Sequence, residues 1–120
     1  MYVVDVNSVR EFELKKEHAK GVKVKYLLHA GIGAKRIQLR LFTIDVGGYT
    51  PFERHEHEHE VFILKGKAKI YGENCVFLAK PGTAIFIPSF ENHKIENAGE
   101  EPLEFLCTKE TSKIPEELKS

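Results

Sequence analysis

What these 120 residues lack excludes whole classes of protein. There is no surplus of charge: 18 Lys and Arg stand against 18 Asp and Glu, so the formal net charge is zero. A chain so balanced has no electrostatic footprint for nucleic acid or for an anionic membrane surface. No apolar run approaches the roughly 18 residues of a membrane span. The opening Met1-Tyr2-Val3-Val4-Asp5-Val6 has no basic stretch followed by a long apolar core, so no signal peptide is expected. Two cysteines, Cys75 and Cys107, are too few for a secreted disulfide framework and read as reduced thiols in a cytoplasmic protein. Glutamine and methionine are nearly absent (Gln38 and Met1 alone), while Lys and Glu abound. That bias is shared by proteins from hot habitats, and a thermophilic source is the expectation it carries. The length suits one domain over residues 1–120 and is too short for two.

What is present is concentrated at Gly47-Gly48-Tyr49-Thr50-Pro51-Phe52-Glu53-Arg54-His55-Glu56-His57-Glu58-His59-Glu60. Glu53, His55, His57 and His59 recur at every second position. In an extended backbone they point to one face, leaving Arg54, Glu56, Glu58 and Glu60 on the other. Imidazoles and a carboxylate converging on one side suit a divalent first-row metal. The competing reading is a solvated loop or edge strand of alternating charge, because a His tract is by itself only a compositional signal.

Along the chain, residues 2–6 read as a short strand. Residues 8–20 are charged and weakly periodic. Ser8 is placed to cap a helical turn with Glu11 three residues on, while Glu11-Phe12-Glu13-Leu14 alternates as a strand would. Strands are predicted over 22–28 and 36–46, with Gly47-Gly48 as a turn. Further strands are predicted over 61–64, 68–71, 75–78, 84–87, 94–96 and 103–107, each bounded by Gly, Pro or Asn. A short helix or frayed tail is expected over 111–120, opened by Pro115. Closely spaced strands with turn signals between them indicate an all-β sandwich or closed barrel.

A second element sharpens this. Gly82, five residues, Pro88, then Phe90, His93 and Asn97 follow the first stretch at a sensible separation. Together the two resemble the paired motifs of the cupin superfamily. The family's first motif runs Gly, five residues, His-x-His, three or four residues, Glu, six residues, Gly. Gly47, Glu53-Arg54-His55, His59 and Gly66 keep that spacing, with Glu53 and His59 exchanged relative to the usual types. The second runs Gly, five residues, Pro-x-Gly, two residues, His, three residues, Asn. Gly82, Pro88, His93 and Asn97 keep it, and Phe90 stands where the second glycine is usual. Leu103-Glu104-Phe105-Leu106 is similar to the closing strand of small single-domain cupins.

The resemblance implies a double-stranded β-helix (jelly-roll) barrel, with the motifs within 47–97. It implies three histidines and one glutamate around one metal: Glu53, His55, His59 and His93. His57 shares their parity, and a one-notch slide instead recruits His55, His57 and His59, with Glu53 outside. A bend within 53–59 decides between these. Several ionisable groups facing a barrel interior are costly to desolvate unless a cation or water compensates them. The donor set suits Fe, Mn, Ni, Co, Zn or Cu without separating them. The implied function is a metal-dependent oxygenase, isomerase or lyase of a small organic substrate. The alternatives are a non-catalytic module binding a metal or metabolite, and a purely structural barrel. Phe42, Phe62, Phe86 and Phe105 are candidate walls, and Cys107 shares the parity of Phe105. Arg36 and Arg40 are candidates for a substrate carboxylate or phosphate, against surface ion pairs. His18 and His29 stand alone. A small-molecule partner, no nucleic acid, no membrane and a homodimer complete the expectation, with residues 2–6 and 22–28 free to extend a partner's sheet.

Overall fold

Alternating apolar and polar residues build one curled antiparallel sheet. The computed structural model describes residues 1–119. Its strands are β1 (Phe12–Glu13), β2 (Lys20–Leu28), β3 (Ile37–Tyr49), β4 (His59–Lys65), β5 (Ala68–Tyr71), β6 (Val76–Ala79), β7 (Ala84–Ile87), β8 (Lys94–Asn97) and β9 (Leu103–Glu110). Short 3-10 turns occupy Val6–Ser8, Ala30–Ile32 and Glu116–Leu118. The strands run in the order β6-β5-β8-β3-β9-β4-β7, with β2 paired to β3 and β1 to β2. No helix among the described residues is long and apolar enough to cross a membrane.

Register explains where the core ends and the polar end of the barrel begins. Phe42 pairs with Phe105, and Phe105 with Ile63, so these three inward side chains form one tier. The Phe42 and Phe105 rings stack with centroids 5.3 Å apart. One step along the strands, Arg40 pairs with Cys107, and Cys107 with Val61. At the next step, Gln38 pairs with Lys109, and Lys109 with His59. A period of two therefore carries an apolar tier into a polar one.

Three expectations are corrected. Residues 2–6 are not a strand. Met1, Tyr2 and Val3 are exposed, and Asp5 caps the turn at Val6–Ser8 by accepting from the Asn7 N–H at 2.7 Å. The outer side of β2 is taken by β1, with Phe12 opposite Val24, which leaves that segment no partner there. Ser8 sits inside the turn rather than capping a helix, so the alternating reading of Phe12-Glu13 prevails over the helical one. Gly47-Gly48 is not a turn but a bulge inside β3. Lys20 pairs with Tyr49 while Val22 pairs with Ile44, so β3 carries extra residues there. Gly47 has φ +80°, and a Cβ on Gly48 would stand 2.5 Å from the Lys20 carbonyl oxygen, so both positions need glycine. Past the bulge, Tyr49 pairs with Glu96 of β8, so one strand serves both sides of the barrel.

Asn97 joins these walls. Its buried amide donates to the carbonyls of Ile44 and Glu101, both at 2.9 Å, and its oxygen accepts from the Gly99 N–H at 2.9 Å. The tail turn at Glu116–Leu118 follows Pro115, as its sequence suggests, and is tied to β2 by the Tyr26 hydroxyl donating to Glu117 at 2.8 Å. Ser120 lies outside the described residues.

Candidate metal centre

His59 enters on β4, while His93 immediately precedes β8 and His55 lies in the segment before β4. Their ligand atoms lie within 4.8 Å of one another. The segment carrying His55 is not one extended strand. Glu53 and His93 form an isolated antiparallel bridge, exchanging backbone bonds of 3.0 Å in both directions, and the chain bends at Glu56-His57 before β4 begins. Exposure still alternates, with Glu53, His55, His57 and His59 sheltered and Arg54, Glu56, Glu58 and Glu60 exposed.

Each of the three rings is oriented by a backbone carbonyl. Nδ1 of His55 lies 3.1 Å from the His57 oxygen, Nδ1 of His59 3.2 Å from the Thr108 oxygen, and Nδ1 of His93 2.9 Å from the Glu91 oxygen. A carbonyl only accepts, so each Nδ1 carries the proton and each Nε2 an open lone pair. Arg40 and Cys107 also approach His59 Nδ1, both at the longer distance of 3.4 Å, and the carbonyl contact sets the tautomer. Nε2 of His59 and Nε2 of His55 stand 3.1 Å apart. Two lone pairs at that distance repel unless a cation or proton lies between them. Two nitrogens each about 2.1 Å from one ion, at a right angle, stand about 3 Å apart. The donor set therefore fits a divalent ion on the chemistry of its own nitrogens.

Electrostatics disfavour the proton. Burial, reinforced by the Arg40 charge, pushes His59 down to about 3. His57 falls to about 4 through burial and then through His55, and His55 is lowered chiefly by burial.

Glu53 and His57 do not join the three converging atoms. The Glu53 carboxylate accepts from Lys16 at 3.0 Å. His57 lies flat against His55, with ring centroids 3.7 Å apart. His18 is exposed, and His29 accepts from the Gly31 N–H within a 3-10 turn.

A cavity of about 370 Å³ opens beside the histidines. Phe42 and Phe105 line it, whereas Phe62 and Phe86 face outward and are exposed, because their parity on β4 and β7 is the opposite one. Arg36 is exposed. Arg40 is not in a surface ion pair. Its guanidinium lies 4.8 Å over the Phe42 ring, and one nitrogen donates to Cys107 Sγ at 3.2 Å. Its Nε is buried with no hydrogen-bond partner among the described residues. Cys107 meets the Nδ1 side of His59, away from the Nε2 atoms, and burial raises its thiol pKa despite Arg40. Lys109 is lowered by burial, then by Arg40 and Lys16.

Lys109 was not singled out in the sequence, although its parity with Leu103, Phe105 and Cys107 was the available signal. Lys16 and the tail at Ile114-Pro115-Glu116-Glu117 also line the cavity, brought there by long-range folding with no local signal.

Residues 40–109 match the cupin domain family. A 1-methylthio-D-xylulose 5-phosphate methylsulfurylase of Rhodospirillum rubrum is 36% identical over 70 residues, spanning 58% of this chain and 45% of that protein. The chain thus covers under half the length of that relative. An uncharacterized protein of Methanocaldococcus jannaschii is 37% identical over 72% of this chain and 71% of its own length. The polyketide cyclase RemF of Streptomyces resistomycificus superposes with a TM-score of 0.87 at 28% identity, covering 96% of this chain and 82% of that one.

Proposed function

The chain belongs to the cupin domain family, and from that premise we propose that it is a single-domain, metal-dependent enzyme converting a small organic molecule inside its barrel. The observation that carries this reading is the pair of Nε2 atoms 3.1 Å apart beside a cavity, with both rings locked by carbonyls in the metal-binding tautomer. His55, His59 and His93 would hold the ion. Glu53 is the fourth donor in preference to His57, because Glu53 is bridged to His93 and lines the cavity. A bound divalent transition ion would supply Lewis acidity or redox capacity to the reacting molecule. Lys16 holds the Glu53 carboxylate in reserve, and Phe42, Val61, Ile87 and Phe105 exclude water from the reacting molecule. The relatives' names, a sugar-phosphate methylsulfurylase and a polyketide cyclase, fit a small-molecule role and leave oxygenase, isomerase and lyase chemistry as the candidate classes.

The test is anaerobic reconstitution with Fe, Mn, Ni, Co, Cu and Zn in turn, followed by O₂-consumption and metabolite-pool assays. Turnover with at least one metal is expected. Metal binding without turnover under any condition selects a non-catalytic binding module. Substituting His93 by Ala is expected to weaken metal binding 100-fold or more, on the order of a lost ligand, and Glu53→Gln more than His57→Gln. Assembly as a homodimer is part of the same proposal. The outer face bearing Phe62, Leu64 and Phe86 is its supporting feature, in place of the N-terminal segment.

A further inference from the structure

Two cations that line the cavity, Arg40 and Lys109, stand outside every ion pair among the described residues, although Glu53 attracts Lys109 at longer range. The acidic groups nearby are engaged elsewhere: Glu53 with Lys16 at 3.0 Å, Glu116 with Lys119 at 3.1 Å, and Glu117 with the Tyr26 hydroxyl. Register places Arg40 and Lys109 on adjacent inward tiers, Arg40 opposite Cys107 and Lys109 opposite both Gln38 and His59. The Phe42 ring covers one face of the Arg40 guanidinium, and its Nε is buried with no acceptor among the described residues. Half-buried cations outside any ion pair are costly, and a divalent ion held by the neighbouring histidines would add charge of the same sign.

We infer that Arg40 and Lys109 form an anion subsite that takes a carboxylate or phosphate group of the small molecule, beside the three histidines. The inference rests on the proposed metal-dependent reading of the cavity and names the substrate class for it. A planar guanidinium suits two oxygens of a carboxylate or phosphate, and a lysine ammonium supplies a second, rotatable donor. Gln38, buried in the same tier as Lys109, is a third polar group at hand for such a head group.

The experiment titrates chelator-treated and metal-loaded protein with inorganic phosphate and, separately, with succinate, following binding by calorimetry. Wild type is compared with Arg40→Gln, Arg40→Lys, Lys109→Gln and, at an exposed lysine on the cavity's edge, Lys113→Gln. Circular dichroism verifies that each is folded. Metal affinity is measured on the same samples. Wild type is expected to bind at least one of the two anions in the chelator-treated form. Arg40→Gln and Lys109→Gln are each expected to weaken that binding tenfold or more, with metal affinity unchanged or tighter. Arg40→Lys recovers part of the loss, and Lys113→Gln leaves binding within about twofold. Should Arg40→Gln fail to fold, Lys109→Gln carries the test alone. Which anion binds identifies the head group. Anion binding that survives both substitutions, or no binding of either anion in either form, overturns the subsite. Metal binding that fails while phosphate or succinate still binds through Arg40 and Lys109 overturns the metal reading and leaves the subsite standing.

Discussion

At His59 three groups approach Nδ1, yet only one of them fixes its proton. The Thr108 carbonyl at 3.2 Å takes the Nδ1–H, while Arg40 and Cys107 stand at 3.4 Å. Burial holds the folded-state pKa near 3, against 6.5 for the free side chain. As pH falls below 6.5 the unfolded chain therefore gains a proton that the folded chain refuses until about pH 3. Stability in chelator-treated protein should drop across that window by up to about 1.4 kcal/mol per pH unit from this residue. Urea midpoints between about pH 7 and pH 5 check it, and His59→Gln should flatten the slope; a slope unchanged in the variant would remove the assignment. Phe90 offers a second residue-level test. It holds φ +64°, a left-handed conformation that costs a non-glycine residue about 1 kcal/mol, and stands where related motifs carry glycine. Its N–H donates to the His55 oxygen at 2.7 Å, and Arg54 Nε donates to its own oxygen at 2.7 Å, so the surroundings impose the conformation. Phe90→Gly should raise the unfolding free energy by up to about 1 kcal/mol, read as a higher urea midpoint at constant m-value.

Between strands, Asn97 is the residue on which most depends. Asn97→Ala removes three hydrogen bonds, one of them to the carbonyl of the buried Ile44, which should cost about 2–4 kcal/mol in urea unfolding. A loss under about 0.5 kcal/mol would show that the carbonyls find other donors. This scale also separates what was legible in the sequence from what was not. Strands β2 to β9 were readable, with bounds shifted by up to three residues, as alternating or short apolar runs separated by turn residues, and the meeting of the His55, His59 and His93 rings was readable as motif spacing. Residues 2–6 have strand composition, but a strand exists only where a partner's backbone is free, and β1 occupies that place. Gly47-Gly48 is compatible with either a turn or a bulge. Only the pairing of Lys20 with Tyr49 decides, and that contact is remote in sequence. The roles of Glu53 and His57 depend on a bend at Glu56-His57 that no residue type there announces. Lys16 and the tail reach the cavity through the tertiary path of the chain.

For the molecule as a whole, the exposed Phe62, Leu64 and Phe86 form an apolar outer face on β4 and β7. If that face joins two copies, light scattering after gel filtration should give twice the 13.7 kDa chain mass, and Phe86→Lys should return it to one. A monomeric wild type would withdraw the dimer. The bulged strand β3 has a different consequence. Its backbone is bonded to β2, β8 and β9 at once, so no single neighbour can peel away and free it. In deuterated water its central amides should exchange only when the entire fold opens, at the free energy measured by denaturant. Those of β6, bonded among the described residues to β5 alone, should exchange through cheaper local fluctuations.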